Sequence, residues 1–153
     1  MKRHERGLTM VELLVVLAIV IILSSIVFQV FRTLASSKSL EGETSRVAAE
    51  IGRARSLTLA SKYAAQFGVH FATSSVTLFQ GSSYSASSAS NTVTVLSPVV
   101  QVASSSFAGG GSDVIFQRLT GGTTQSGTIL ISLKNGTTSK TITIYKTGAY
   151  EIQ

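Results

Sequence analysis

The longest apolar run in this 153-residue chain follows a short basic leader and reads Gly7-Leu8-Thr9-Met10-Val11-Glu12-Leu13-Leu14-Val15-Val16-Leu17-Ala18-Ile19-Val20-Ile21-Ile22-Leu23. Its apolar character continues to Phe31, and its polar interruptions are Thr9, Glu12, Ser24, Ser25 and Gln29. A helix over residues 8–31 would be about 36 Å long at ~1.5 Å per residue, which exceeds a hydrocarbon core of ~30 Å. The sequence therefore predicts a membrane-spanning helix and places the rest of the chain outside the membrane.

Glu12 is the one charged residue inside this run. A carboxylate in hydrocarbon costs several kcal/mol unless it reaches the interface or finds a partner, so such a residue is a candidate functional residue. Glu12 also lies about one turn from the cytoplasmic end, where it could reach the lipid headgroups. The residue chemistry leaves both interpretations open.

The charges that flank the run predict its orientation. Lys2, Arg3 and Arg6 precede it, whereas Arg32 and Lys38 follow it. Positive charge favours the cytoplasmic side, so the N-terminus is expected in the cytoplasm and the C-terminal domain in the periplasm or outside the cell. An ordinary secretory signal is disfavoured because the run is too long and no small-x-small cleavage site follows it. An uncleaved signal anchor stays as an alternative.

The arrangement of Gly7, the segment Leu8-Thr9-Met10-Val11-Glu12 and the aliphatic run resembles the class III signal of type IV pilins and pseudopilins. The resemblance implies that prepilin peptidase cuts after Gly7 and methylates the new N-terminus, Leu8. It also implies that Glu12 pairs with the free amine of a neighbouring subunit during filament assembly. Many major pilins carry a helix-kinking proline where this chain has Gln29, which favours a pseudopilin or minor pilin. The membrane span predicted from the apolar run contains Leu13, Leu14, Val15, Val16, Leu17, Ile19, Val20, Ile21, Ile22 and Leu23.

The helix is expected to continue beyond the membrane to about Lys62. Residues 32–62 contain no proline, and one apolar stripe recurs at spacings of three, four and seven residues. This amphipathic half, residues 32–62, is predicted to lie against the remainder of the chain. Arg46 and Glu50 are one turn apart and are expected to pair. The stripe consists of Leu40, Val47, Ile51, Ala54, and Leu57 or Thr58.

Residues 63–153 change to the two-residue periodicity of β-strands. Strands are predicted at residues 65–71, 76–80, 92–96, 99–103, 114–119, 128–134, 141–145 and 149–152. Loops are predicted at residues 81–91 and 104–112. Asn135-Gly136 favours a tight hairpin turn, which would direct Ile129, Ile131 and Leu133 inward with Ile142 and Ile144. The expected fold is α+β and pilin-like, in which a long helix packs on one mostly antiparallel sheet after a leader at residues 1–7.

The C-terminal layout resembles the ending of the GspH/FimT-type minor pseudopilins. The resemblance rests on the segment 113–117, the apolar segment 129–131 and the segment 142–148, which ends in Lys146-Thr147-Gly148. In that family a strand bearing a near-terminal glycine closes the sheet. Some FimT-like proteins bind DNA through basic residues beside this glycine. Here Lys146, Ala149 and Glu151 do not supply the basic cluster.

The composition excludes several kinds of chemistry. The chain has no cysteine, so disulfides, zinc thiolates and a thiol nucleophile are unavailable. His4 lies in the leader, and His70 is interpreted as a structural residue. Asp113 and Glu151 are the acidic residues after the helix, which argues against paired-carboxylate hydrolysis and an oxygen-ligand metal cage. We therefore expect no enzyme activity, no cofactor and no metal.

The leading interpretation is a structural subunit of a type II secretion pseudopilus or a type IV pilus. Its expected partners are prepilin peptidase, other pilin or pseudopilin subunits and inner-membrane lipid. One alternative is a filament-tip module that contacts DNA or a secretion substrate, and another is an uncleaved single-pass anchor that holds a periplasmic domain.

A basic patch formed by Arg46, Arg53, Arg55 and Lys62 would suit anionic lipid or nucleic acid. Glu43 and Glu50 are interleaved with these residues, which favours a solvated helix face instead.

Overall fold

The computed structural model describes residues 9–136 and 138–153. One long helix, α1, spans Met10–Leu59 and agrees with the predicted helix at residues 8–62 to within a few residues. It ends at Leu59, and the chain then forms a 3₁₀ turn at Lys62–Ala64, where Ser61, Tyr63 and Ala64 adopt left-handed φ angles. The chain divides into two compact units between Ala35 and Ser36.

The first unit consists, where the structure describes it, of the N-terminal part of α1. Every described residue up to Ala35 is exposed. The Ser25 hydroxyl donates to the Ile22 carbonyl at 2.7 Å, and the Thr33 hydroxyl donates to the Gln29 carbonyl at 3.2 Å. These hydroxyls therefore find their partners within the helix itself.

The second unit begins with the amphipathic part of α1. The predicted apolar stripe is confirmed, with Thr58 buried and Leu57 only partly buried. The predicted pairing of Arg46 with Glu50 is wrong. Arg46 instead lies 3.8 Å from Glu43, and Glu50 lies 3.6 Å from Arg53. The buried residues of this helix face are Leu40, Thr44, Val47, Ala48, Ile51, Ala54 and Thr58.

Within the part of the chain that the structure describes, eight strands form two antiparallel four-stranded sheets rather than the single sheet that the sequence suggested. The first sheet has the order β3-β2-β1-β5, with β1 at Phe67–Ala72, β2 at Ser75–Gln80, β3 at Thr92–Val95 and β5 at Asp113–Ile115. The second sheet has the order β4-β6-β7-β8, with β4 at Val100–Phe107, β6 at Gly127–Leu133, β7 at Ser139–Ile144 and β8 at Tyr150–Ile152. A hydrogen bond of 2.9 Å from the Val102 amide to the Thr73 carbonyl links β4 to the β1–β2 turn.

The core lies between the buried face of α1 and the two sheets. Ile129, Ile131 and Leu133 on β6 are buried with Ile142 and Ile144 on β7, as predicted. Gly136 in the hairpin loop has the expected positive φ angle, +72°, whereas Asn135 does not. The loop between Leu133 and Ser139 is therefore longer than the two-residue turn that Asn-Gly favours. The serine-rich segment 81–91 contains no strand, also as predicted. The α+β fold, a long helix packed with antiparallel sheets, is thus confirmed and is consistent with a pilin-like fold.

Two predicted strand ends are wrong. β4 continues to Phe107 instead of ending at residue 103, because Ser104–Ser106 resume the ladder opposite Leu130–Thr128 after a bulge and Phe107 is buried. β5 ends at Ile115 instead of residue 119. Beyond it the Gln117 amide donates to the Gly122 carbonyl, and Leu119 has φ +69°, so this segment forms a turn.

Candidate functional site

The first described turn of α1 contains Glu12, whereas Gly7 and Leu8, the predicted cleavage and methylation residues, lie outside the described residues. The Thr9 hydroxyl oxygen accepts a hydrogen bond from the Glu12 amide at 3.2 Å. Thr9 therefore caps the helix, and Glu12 occupies the third helical position, the Ser/Thr-x-x-Glu spacing of a capping box. A carboxylate there also interacts favourably with the positive end of the helix dipole.

This local role of Glu12 was not predicted, although the spacing of Thr9 and Glu12 in the sequence carries the signal. Glu12 thus combines two features, since it is acidic within an apolar helix and it stands where an acid favours helix initiation. Any experiment on its assembly role must separate these two contributions.

The surface that follows Glu12 is apolar on every side. The ten predicted span residues expose between 49% and 68% of their surface. Exposed apolar area of this extent marks contact with lipid or with other proteins. By length and composition, α1 is able to cross a membrane. The ten residues are Leu13, Leu14, Val15, Val16, Leu17, Ile19, Val20, Ile21, Ile22 and Leu23.

The N-terminal segment that contains Glu12 and most of the apolar run resembles a known family motif. Residues 2–28 match a family model described as the prokaryotic N-terminal methylation motif. The chain carries a prepilin-type N-terminal methylation motif. This motif supports membership of the pilin and pseudopilin families, whose members are generally structural rather than catalytic. It implies a substrate of prepilin peptidase that assembles with other pilin subunits, and together with the apolar helix it indicates a membrane-anchored, pilin-like chain.

The match covers the leader, Gly7, Glu12 and most of the apolar run, and it does not extend into the β-sheet domain. No significant match was found among curated proteins or among solved structures.

The basic residues of the amphipathic helix face make contacts within the domain. Arg46 and Arg53 lie beside Glu43 and Glu50. Lys62 lies 5.3 Å from the centre of the Tyr63 ring. These contacts favour the solvated helix face over a dedicated anion-binding patch.

A further exposed pair lies near the start of the second unit. Lys38 Nζ donates to Glu41 Oε2 at 2.8 Å. This hydrogen bond and the attraction between the two charges raise the pKa of Lys38 and lower the pKa of Glu41. Because both side chains are solvent-exposed, the pair contributes little to stability.

Arg55 joins α1 to two turns of the β-sheet domain. Its Nε donates to the Gly121 carbonyl at 3.2 Å, and one terminal nitrogen donates to the Thr147 carbonyl at 3.3 Å. Gly148, the near-terminal glycine, has φ +75°, and a Cβ atom there would overlap the Gly121 carbonyl oxygen and approach Arg55 Nε to 2.9 Å. Close backbone approach and a positive φ angle together require glycine at this position.

His70 has a structural environment. Its Nδ1 contacts Asp113 Oδ1 at 2.5 Å, and its ring stacks on Tyr84 with the ring centres 3.9 Å apart. These contacts connect β1 to β5 and to the serine-rich loop. Within residues 9–136 and 138–153, no group of three His, Cys, Asp or Glu side chains is arranged to hold a metal ion.

Proposed function

We propose that this chain is a structural subunit of a pilus or pseudopilus. In this proposal prepilin peptidase cleaves after Gly7 and methylates Leu8, and residues 8–31 anchor the subunit in the inner membrane before they enter the filament core. The N-terminus is cytoplasmic, and the domain at residues 63–153 lies on the periplasmic or extracellular side. The observation that carries the proposal is the methylation motif at residues 2–28, which continues into an uncovered apolar helix.

Glu12 is assigned the assembly role. A carboxylate and a free amine can each offset the cost of burying the other, whereas either group alone is uncompensated in a low dielectric. Cleavage after Gly7 creates such an amine at Leu8. The Thr9 cap holds Glu12 in the first turn, close in sequence to the new N-terminus.

Two features support a minor pseudopilin of the GspH/FimT type within this broader class. α1 continues through Gln29, the position where a kinking proline occurs in many major pilins. Gly148 lies in the turn before β8, where its backbone closely approaches the 117–123 turn, and β8 forms an edge of the second sheet. Type II secretion and type IV pili are both served by subunits of this design.

Two substitutions at Glu12 test the assembly role. Glu12→Ala removes both the charge and the capping-box side chain, whereas Glu12→Gln retains a side chain suited to the capping box and loses only the charge. We expect both variants to insert and to be cleaved. We expect the amount of each variant in sheared filaments to fall at least about tenfold, because breaking a buried charge pair costs ~3–5 kcal/mol. Immunoblots of membrane and filament fractions measure the outcome.

Ser25→Ala is the matched control, because the Ser25 hydroxyl bonds its own helix and it lies in the same apolar segment. It should enter filaments normally. Wild-type incorporation of Glu12→Gln would refute the charge pairing. Absence of the wild-type chain from every filament fraction would refute the subunit role itself.

A further inference from the structure

The outer face of the second sheet is almost free of charge. Side chains alternate along each strand, so the partners of the buried isoleucines point away from the core. Strand pairing aligns these outward residues in rows across β4, β6 and β7. They are polar and mostly hydroxylated, apart from the half-buried Leu130, and Ser132 is itself buried. The outward residues are Gln101, Ser104, Ser106, Thr128, Leu130, Ser132, Ser139, Thr141 and Thr143.

One end of this face contains a shallow depression of about 270 Å³. Thr128 and Thr143, which lie directly opposite each other on β6 and β7, line it together with Ser126, Tyr145 and Lys146. This volume is slightly below the ~300 Å³ at which small-molecule sites commonly begin. The depression therefore suits a ligand unit the size of one small ring.

Tyr145 is the aromatic residue among those that line the depression. Its hydroxyl donates to Glu151 Oε2 at 2.8 Å, across the diagonal of the β7–β8 pair. This hydrogen bond and the negative charge of Glu151 raise the pKa of Tyr145. The side chain is 45% exposed. Because a tyrosine side chain has two χ angles, its ring loses little conformational entropy when a ligand stacks on it.

We propose that this depression binds one sugar unit of a neutral, linear glycan, with the apolar face of the sugar on Tyr145 and its hydroxyls on Thr128 and Thr143. A tyrosine ring offers an apolar face to the sugar. Threonine hydroxyls both donate and accept hydrogen bonds, as sugar hydroxyls do. The hydroxyl rows continue from the depression over three strands spaced ~4.8 Å apart, which leaves room for adjoining sugar units.

The charges around the depression favour a neutral ligand. Among the described residues that line the depression, Lys146 is the charged one, and Glu151 lies one strand away, hydrogen-bonded to Tyr145. A polyanion such as nucleic acid gains affinity from several basic contacts. It would find one lysine and one carboxylate here.

The test uses the full chain in a detergent without sugar headgroups, and it does not depend on filament assembly. Cellohexaose, chitohexaose and maltohexaose are titrated by calorimetry at low and high salt. At least one should bind, with an affinity that salt leaves unchanged. Tyr145→Ala should lose at least tenfold in affinity, whereas Tyr145→Phe, which keeps the ring, should lose less.

Tyr63→Ala is the matched control, because Tyr63 is an exposed tyrosine outside the depression and should not affect binding. If Tyr145→Ala unfolds, Thr143→Val probes the same depression and should also weaken binding. Three outcomes would overturn the proposal: no binding of any of the three at millimolar concentration, an equal loss for Tyr63→Ala, or binding that disappears as salt rises.

Discussion

Gly148 illustrates how a single residue can hold several elements together. Its backbone lies against the Gly121 carbonyl and beside Arg55, so helix and turns meet at one point. The three positions are far apart in the sequence, and no local pattern connects them. From the sequence, Gly148 could be singled out only through the family resemblance. Its contact with Gly121 and Arg55 is visible only in the folded structure.

Gly148→Ala should destabilise the protein by about 2–4 kcal/mol. A left-handed alanine costs ~1–2 kcal/mol, and displacement of the Gly121 carbonyl and Arg55 adds to this cost. Gly110→Ala is the control, since Gly110 has φ +79° but no atom lies within 4 Å of the position that an alanine methyl group would take there. Gly110→Ala should therefore lose only the ~1–2 kcal/mol of stability that a left-handed alanine costs. Denaturant midpoints of the full chain in micelles measure both, and equal losses would show that the close approach does not matter.

Glu12 was recognisable from the sequence because a carboxylate in an apolar run is unusual in any fold. Its second role required the hydrogen bond from its amide to Thr9. The roles of Gly7 and Leu8 stay predictions, because both residues lie outside the described part of the chain.

At the scale of elements, regular periodicity was the most informative signal. The stripe of α1 and the alternation of β6 and β7 identified their buried faces correctly. Serine has no strong preference for strands, so the extension of β4 through Ser104–Ser106 was invisible without its partner β6. The predicted pairing of Arg46 with Glu50 was wrong because both side chains have partners on β3. Arg46 donates to the Val95 carbonyl, and Glu50 accepts from the Thr94 hydroxyl.

Thr58 connects the end of α1 to the start of β1. Its buried hydroxyl donates to the Ala54 carbonyl at 2.9 Å and accepts from the Phe67 amide at 3.0 Å. Thr58→Val should cost about 1–3 kcal/mol, because it leaves the buried Phe67 amide without that acceptor. Thermal or denaturant unfolding of the full chain measures the loss.

Thr44→Val provides the comparison. Thr44 is also buried and donates to the carbonyl four residues earlier, Leu40, but the hydrogen bonds found for its hydroxyl stay within the helix. We expect Thr44→Val to lose less stability than Thr58→Val. If the two valine variants were equally stable, the bond to Phe67 would contribute nothing.

At the scale of the whole molecule, the division of the strands into two sheets was not predictable. Two-residue alternation does not say which sheet a strand joins, and the order depends on pairings between distant segments, such as β1 with β5 and β4 with β6. The fold class was predictable because a long helical pattern followed by strand patterns admits few arrangements.

The two units have opposite surfaces. The described part of the first unit exposes apolar side chains throughout, whereas the second buries most of its apolar residues in a core. The first unit thus requires a membrane or neighbouring subunits to cover it, which accords with an anchor that later enters a filament.

The intact mass of the mature protein tests this account most directly. The chain is expressed with an active prepilin peptidase, whose activity is verified on a known prepilin in the same cells, and is purified from the membrane. The account predicts a product that lacks residues 1–7 and carries one methyl group on Leu8. A product with the mass of the full 153-residue chain would contradict it.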